Sequence, residues 1–352
     1  MKLIVQIPCF NEEATLAQTL AAIPRAIPGV DTVEILVVDD GSTDGTVDVA
    51  RRAGVHHLIR HTANRGLAEA FRTGLDACLG QGADIIVNTD GDNQYAGGSI
   101  PALIRPILEG RADVVIGDRQ IAGNPHFART KKWLQALGSM VVRRLSGTSV
   151  PDAVSGFRAI SRNAALRLNI VSPFSYTIEM LIQAGKQRLA IASVPVETNP
   201  VTRHSRLFSN VPQFVLHSIA TMLRIYTMYN PLRTFAYIGG ALAVVGVAPI
   251  VRFLFFYFSG DGAGHIQSLV LGGVFLMMGF VAVMVGVVAD LIGFNRRLVE
   301  MTLQKVRDLE LATQTVPLLK NPSVEVSLAE HKGLPTAHPP MAAAETRQPH
   351  GR

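Results

Sequence analysis

Asp90-Gly91-Asp92, with Gln94 two residues further on, sets two carboxylates and a neutral oxygen within five positions. Hard oxygen ligands of this kind suit Mg2+ or Mn2+, which keep several waters and bridge to a diphosphate. A strand broken at Gly91 would let both carboxylates turn toward one cation. A bare Asp-x-Asp turn is also what a solvated loop looks like, so its surroundings must decide. Similar polar clusters close other apolar runs: Asn11-Glu12, Asp39-Asp40 and Asp118-Arg119. There is no Gly-x-Gly-x-x-Gly after the first run and no Gly-x-x-x-x-Gly-Lys, so neither a dinucleotide fold nor a P-loop is supported. Phosphate chemistry then has to come through a metal.

The elements that must position these clusters alternate in type. Residues 2–8, 34–39, 57–60, 83–90 and 113–117 read as strands, and 12–23, 46–53, 66–79 and 99–109 as helices. The pattern predicts an α/β domain with a mostly parallel sheet, in which ligands collect beyond the carboxyl ends of the strands. That is where the polar clusters lie.

Composition separates the rest of the chain. Hydrophobic residues make up 48% and charged residues 17% of 352, which excludes wholesale disorder, and two cysteines exclude a disulfide scaffold. The net charge of +6 suits nucleic acid or an anionic membrane, and its location favours membrane and no nucleic acid. Two apolar runs, 234–258 with one charge at Arg252 and 266–289 with none, are each long enough to cross a hydrocarbon core of about 30 Å. Arg224, Arg233, Arg296 and Arg297 flank the pair, while the linker carries only Asp261 and His265, so both ends and the large N-terminal part are expected in the cytoplasm. No cleavable signal is read at the start. Residues 198–260 hold no acidic side chain, and 208–233 read as an amphipathic helix in the interface. The expected division is 1–207 catalytic, 208–233 interfacial, 234–294 hairpin, 295–311 cytoplasmic helix and 312–352 disordered, the last on its proline content.

Five separated motifs then come in a recognisable order: 7–13 (IPCFNEE), 37–46 (VVDDGSTDGT), Asn64-Arg65-Gly66, 90–94 (DGDNQ) and Ser155-Gly156-Phe157-Arg158. The order resembles family 2 glycosyltransferases of the GT-A fold over roughly residues 1–210, most of all the branch of dolichyl-phosphate mannose synthase and bacterial polyprenyl-phosphate glycosyltransferases. The resemblance implies a UDP- or GDP-linked nucleotide-sugar donor, a polyprenyl phosphate acceptor and metal dependence; a homo-oligomer is compatible with it. It implies that Pro8, Phe10 and Glu12 contact the nucleoside, that Asp39 and Asp40 read base or ribose, and that Asp90, Asp92 and Gln94 hold the metal. Asp39 also shows no evident cationic partner nearby, and Asp44 with Gly45 equally reads as a helix-capping turn.

Downstream, Gly117-Asp118-Arg119 keeps the arginine of the family's Gly-Ser-Arg and loses its serine. Arg129, Lys131 and Lys132 open an amphipathic stretch at 131–145, either an interfacial helix beside an anionic headgroup or a core helix with a charged face. Arg119, Arg129 and Lys132 are expected to hold the acceptor phosphate, on charge and order alone. Arg203 and Arg206 resemble the family's basic segment over the donor diphosphate; the guanidinium fork suits that role.

Relatives that glycosylate a hydroxyl carry an acidic dyad as base ahead of the domain's last helix. Here that stretch is Ser172-Pro173-Phe174-Ser175, without a carboxylate, and no Gln-x-x-Arg-Trp of processive synthases is present. The reading is inverting displacement by a lipid phosphate oxygen, in which Asp92 and Arg119 carry catalysis. Two alternatives stand beside it: a hydroxyl acceptor with Glu179 or Asp152 as base, and a non-catalytic membrane scaffold.

Overall fold

The computed structural model describes residues 1–120, 143, 147, 150–170, 176–200, 223–224, 226–260, 263–313 and 324–328. Its elements are β1 (Lys2–Cys9), α1 (Leu16–Ala22), β2 (Thr32–Asp39), α2 (Thr46–Arg52), β3 (His57–His61), α3 (Leu67–Gly80), β4 (Ile85–Asn88), α4 (Ile100–Leu108), β5 (Val114–Asp118), β6 (Arg158–Ser161), α5 (Arg162–Arg167), α6 (Tyr176–Lys186), β7 (Ile191–Pro195), α7 (Pro231–Phe258), α8 (Ile266–Thr313) and β8 (Val324–Leu328). The sheet order is β7-β5-β6-β4-β1-β2-β3-β8. Strands β4-β1-β2-β3 pair in parallel, as do β5 and β7, whereas β6 runs antiparallel between β4 and β5.

The central strands are covered on both faces, which explains their unbroken apolar runs. Leu3, Val5 and Ile7 of β1 join one buried cluster with Leu16, Leu20 and Ile104, while Ile4 joins the other with Phe71, Leu75 and Met180. The expected α/β architecture is present. Before the hairpin, two strands were not foreseen. Strand β6 is only four residues long and begins with an arginine, and β7 is half exposed. Strand β4 also stops at Asn88, two residues before Asp90, which lies on the loop beyond it.

Helices α7 and α8 form an antiparallel hairpin whose close contact is made by glycines. Gly239 and Gly246 on α7 face Gly279 and Gly272 on α8: a Cβ on Gly279 would lie 2.7 Å from the Gly239 carbonyl, and one on Gly246 would lie 2.8 Å from that of Gly272. The seven-residue spacing keeps this seam on one face of each helix, letting the backbones approach as small residues do between apolar helices. Away from the seam Tyr237, Val244, Phe255 and Met277 are exposed. Helix α8 runs without a break through the separate helix expected at 295–311.

In the tail, Val324–Leu328 pairs antiparallel with β3, where the sequence reading expected disorder. Val324, Val326 and Leu328 alternate at the period of a strand, and β3 otherwise ends the sheet with unpaired backbone groups. Of 208–233, the described residues 223–224 and 226–229 are helical, Asn230 is a bend, and 231–233 already open α7, three residues before the expected start of the hairpin. Arg129, Lys132, Arg203, Arg206 and residues 172–175 lie outside the described residues.

Candidate active site

The metal-type loop is held in place by its glycine. A Cβ on Gly91 would lie 2.9 Å from Cys9 Sγ and 3.2 Å from Glu12 Cγ, so only glycine lets the loop lie against the end of β1. Thr15 and Thr19, one turn apart, both donate their hydroxyls to the Gly91 carbonyl, at 2.9 and 3.2 Å. Asp92 accepts the Gln94 N–H at 3.1 Å. Gly91→Ala is therefore expected to cost about 1–3 kcal/mol through overpacking and to lower activity by moving the carboxylates. Cys9→Ala in the same chain should restore part of both, read by thermal unfolding and turnover of the single and double variants.

Asp90 sits directly on Gly156, where a Cβ would come 3.0 Å from Oδ2. Burial and then the Asp92 charge push its carboxyl up to about 7, against the nearby Arg119. Burial is the larger cause; the charge of Asp92, set two residues away, is what a divalent cation between the two carboxylates would balance. Among the described residues no three acidic, imidazole or thiol groups converge as a metal cage. Two carboxylates, with the remaining positions taken by phosphate oxygens and water, is the usual way of binding Mg2+. The donor set fits such an ion.

The Ser155–Arg158 motif, recognised in the sequence but given no roles there, forms the floor. Asn88 accepts from Gln6 Nε2 at 3.0 Å and donates to the Gly156 carbonyl at 2.8 Å and to Tyr176 Oη at 3.1 Å. The Gly156 N–H donates to Tyr95 Oη at 3.0 Å, and the Tyr95 ring stacks on Phe157. Arg158 is fully buried and spends its guanidinium on the carbonyls of Ala153, Ser155 and Thr177, each at 2.8 Å. Burial brings it down to about 10. Arg119 forks onto the buried Asp152, with Nε at 2.7 Å and Nη2 at 3.0 Å.

Asp39 ends β2 opposite Cys9 of β1, and Asp40, just beyond the strand, donates its N–H to the Cys9 carbonyl at 2.8 Å, yet their surroundings differ. Asp39 receives the Ser42 N–H and has Arg60 Nε at 3.3 Å, the cationic partner that the sequence reading did not find. Asp40 bonds His61 Nδ1 at 2.7 Å and accepts the N–H groups of Arg65 and Gly66 at 2.9 and 2.8 Å. Its carboxylate thus holds the 61–66 loop. Gly41, at φ 72°, lets that loop close in, since a Cβ there would meet the Ala63 backbone at 2.6 Å. Asp44 accepts the Thr46 N–H at 3.0 Å, in keeping with the capping reading. Phe10 is exposed at this edge, and the Glu12 carboxylate lies 2.9 Å from the Thr15 hydroxyl, which has one proton to share between it and the Gly91 carbonyl.

The model of Glycosyl transferase family 2 matches residues 4–168. The chain is 28% identical over 206 residues to the undecaprenyl-phosphate mannosyltransferase of Micrococcus luteus, covering 56% of this chain and 83% of that protein. It is 30% identical over 203 residues to an uncharacterized glycosyltransferase of Mycobacterium bovis, covering 56% and 85%. A mycobacterial protein of known crystal structure, 21% identical, superposes over 63% of this chain and 74% of that one with a TM-score of 0.50, a likeness of fold. With the GT-A-type sheet, the motif floor and these relatives, the chain belongs to glycosyl transferase family 2.

Proposed function

We propose that the protein transfers a sugar from a UDP- or GDP-linked nucleotide sugar to the phosphate of a membrane polyprenol, undecaprenyl or dolichyl, with inversion at the anomeric carbon. The observation that carries this reading is the apolar hairpin joined to a glycosyltransferase domain. The most apolar window of α7 is only 6% buried, so its surface is not the inside of a soluble core. From Arg233 to Arg252 α7 spans about 28 Å, close to the thickness of a hydrocarbon core. The name of the Micrococcus luteus relative points to the same acceptor class.

Asp90 and Asp92, with Gln94, would hold Mg2+ or Mn2+, whose contribution when bound is to neutralise charge on the departing nucleoside diphosphate. Pro8, Phe10, Glu12, Asp39 and Asp40 would form and read the nucleoside side. Arg203 and Arg206 would share the leaving-group charge. Supporting this, the Asn199 N–H donates to the Gln94 carbonyl at 2.9 Å, tying the chain to the metal loop four residues before Arg203. Arg119, Arg129 and Lys132 would meet the acceptor phosphate.

That acceptor is already an anion at neutral pH and needs no base. Asp152 and Glu179, the carboxylates considered for such a role, are buried, the first under Arg119 and the second accepting from Gln183 Nε2 at 3.2 Å. The deciding experiment incubates membranes with a panel of radiolabelled nucleotide sugars and extracts them with organic solvent. Label in the lipid phase is expected; label confined to soluble sugar or protein overturns the reading.

Both ends of the hairpin would face the nucleotide-sugar compartment, with the 259–265 linker outside. An engineered linker cysteine should react with an impermeant thiol reagent on intact cells and a tail cysteine should not. The reverse pattern would leave cytoplasmic donors out of reach.

A further inference from the structure

Helix α8 is 48 residues long, and only its first half, up to Ala289, is free of charged residues. The half after Asp290 leaves the apolar region and runs along the catalytic domain, against α5. It is tied to the domain at two levels, the first through the residues that lead into α7. Near the hairpin, the Arg296 guanidinium lies over the Tyr229 ring at 4.4 Å and bonds its hydroxyl, and Tyr229 packs on the core beneath α3 and α6. Next to it Lys186 Nζ donates to Asn230 Oδ1 at 2.8 Å, just before α7 begins. Eleven residues on, about 17 Å further along the helix, Arg307 Nη1 donates to the Leu168 carbonyl at 3.3 Å and Nη2 lies 3.4 Å from Asp76 Oδ1 on α3.

One attachment near the bilayer would leave the domain free to pivot; two along a rigid rod fix its tilt. Leu168 caps the C-terminus of α5, where carbonyls carry partial negative charge that favours a guanidinium. The Arg307 side chain is 19% exposed but that of Asp76 is half exposed, so the part-buried bond to the Leu168 carbonyl is the sheltered half of the contact and the pair with Asp76 the weaker one. The site must meet a phosphate confined to the membrane surface, and misplacement by even about 1 Å is costly in transfer chemistry.

We propose that Arg307 is a positioning residue: by pinning α3 and α5 to the emergent half of α8 it holds the catalytic domain at the height and tilt from which a bilayer-borne acceptor phosphate is reached. This rests on the lipid-phosphate reading above. The test uses the full chain in nanodiscs containing polyprenyl phosphate, beside a short, water-soluble prenyl phosphate. Arg307→Ala and Asp76→Asn should raise the KM for the bilayer acceptor by about fivefold or more, leave the donor KM unchanged, and leave the rate with the soluble acceptor unchanged. Arg307→Lys should recover most of the loss. Arg307→Cys with Asp76→Cys should join through a short bifunctional thiol reagent.

Equal losses with both acceptors, or failure of the cysteine pair to join, would show a general structural role or a wrong docking and overturn the proposal. Wild-type transfer to lipid phosphate with Arg307→Ala unaffected overturns this role alone. Wild-type transfer only to a hydroxyl acceptor overturns the function and this role together.

Discussion

Asp92→Ala is expected to abolish sugar transfer while leaving the protein folded and inserted in membranes. The fold should lose little, because the bond that Asp92 accepts from the Gln94 N–H at 3.1 Å is a partly buried loop bond worth about 1 kcal/mol. The chemistry should lose much more. Asp90 and Asp92 are the pair of charges that a cation would balance, and after burial it is Asp92 that contributes most to holding the Asp90 proton. Without Asp92 the donor diphosphate loses its bridge, and a fall of about three decades or more is expected for a preorganised electrostatic element of this kind. The measurement is turnover at saturating Mg2+ or Mn2+, with the unfolding midpoint and membrane fractionation as controls. Unchanged turnover in purified, folded Asp92→Ala protein would remove the metal mechanism.

What could be read without coordinates was what depends on neighbours in sequence. Parallel strands buried on both faces announce themselves as runs such as 34–39, and the carboxyl ends of those runs locate the polar clusters. The apolar hairpin is legible for the same reason. Its glycine seam is less so, because Gly239, Gly246, Gly272 and Gly279 acquire meaning only when two helices are set side by side. The partners of Asp40 lie 21 to 26 positions away at His61, Arg65 and Gly66, so nothing nearby shows that its carboxylate is engaged. Strand β6 failed for a related reason. A four-residue strand headed by a buried arginine contradicts every local strand signal, and it stands because three carbonyls, brought in from Ala153, Ser155 and Thr177, satisfy that arginine.

The nature of the acceptor leads to the second large effect, at Arg119. Its guanidinium forks onto Asp152, and its charge lies near enough to Asp90 to oppose the raised pKa there. Removing it should lower turnover by about a hundredfold or more if it also meets the acceptor phosphate. Arg119→Ala takes the guanidinium fork away from the buried Asp152 and is expected to destabilise the fold, so Arg119→Lys, which retains a cation, is the companion variant. It should fold more stably and still transfer poorly, since an ammonium cannot reproduce the fork. Glu179→Gln and Asp152→Asn address the opposite possibility. Loss of a general base costs about two to four decades, whereas with a phosphate nucleophile no proton has to be taken by a side chain and only packing or positioning is disturbed. Transfer to polyprenyl phosphate is measured in detergent for all four variants, each checked for donor binding. Glu179→Gln is expected within about tenfold of wild type. If Glu179→Gln or Asp152→Asn binds donor normally yet loses about three decades, while Arg119→Lys is nearly unaffected, a side-chain base is at work, and a hydroxyl replaces the lipid phosphate as acceptor.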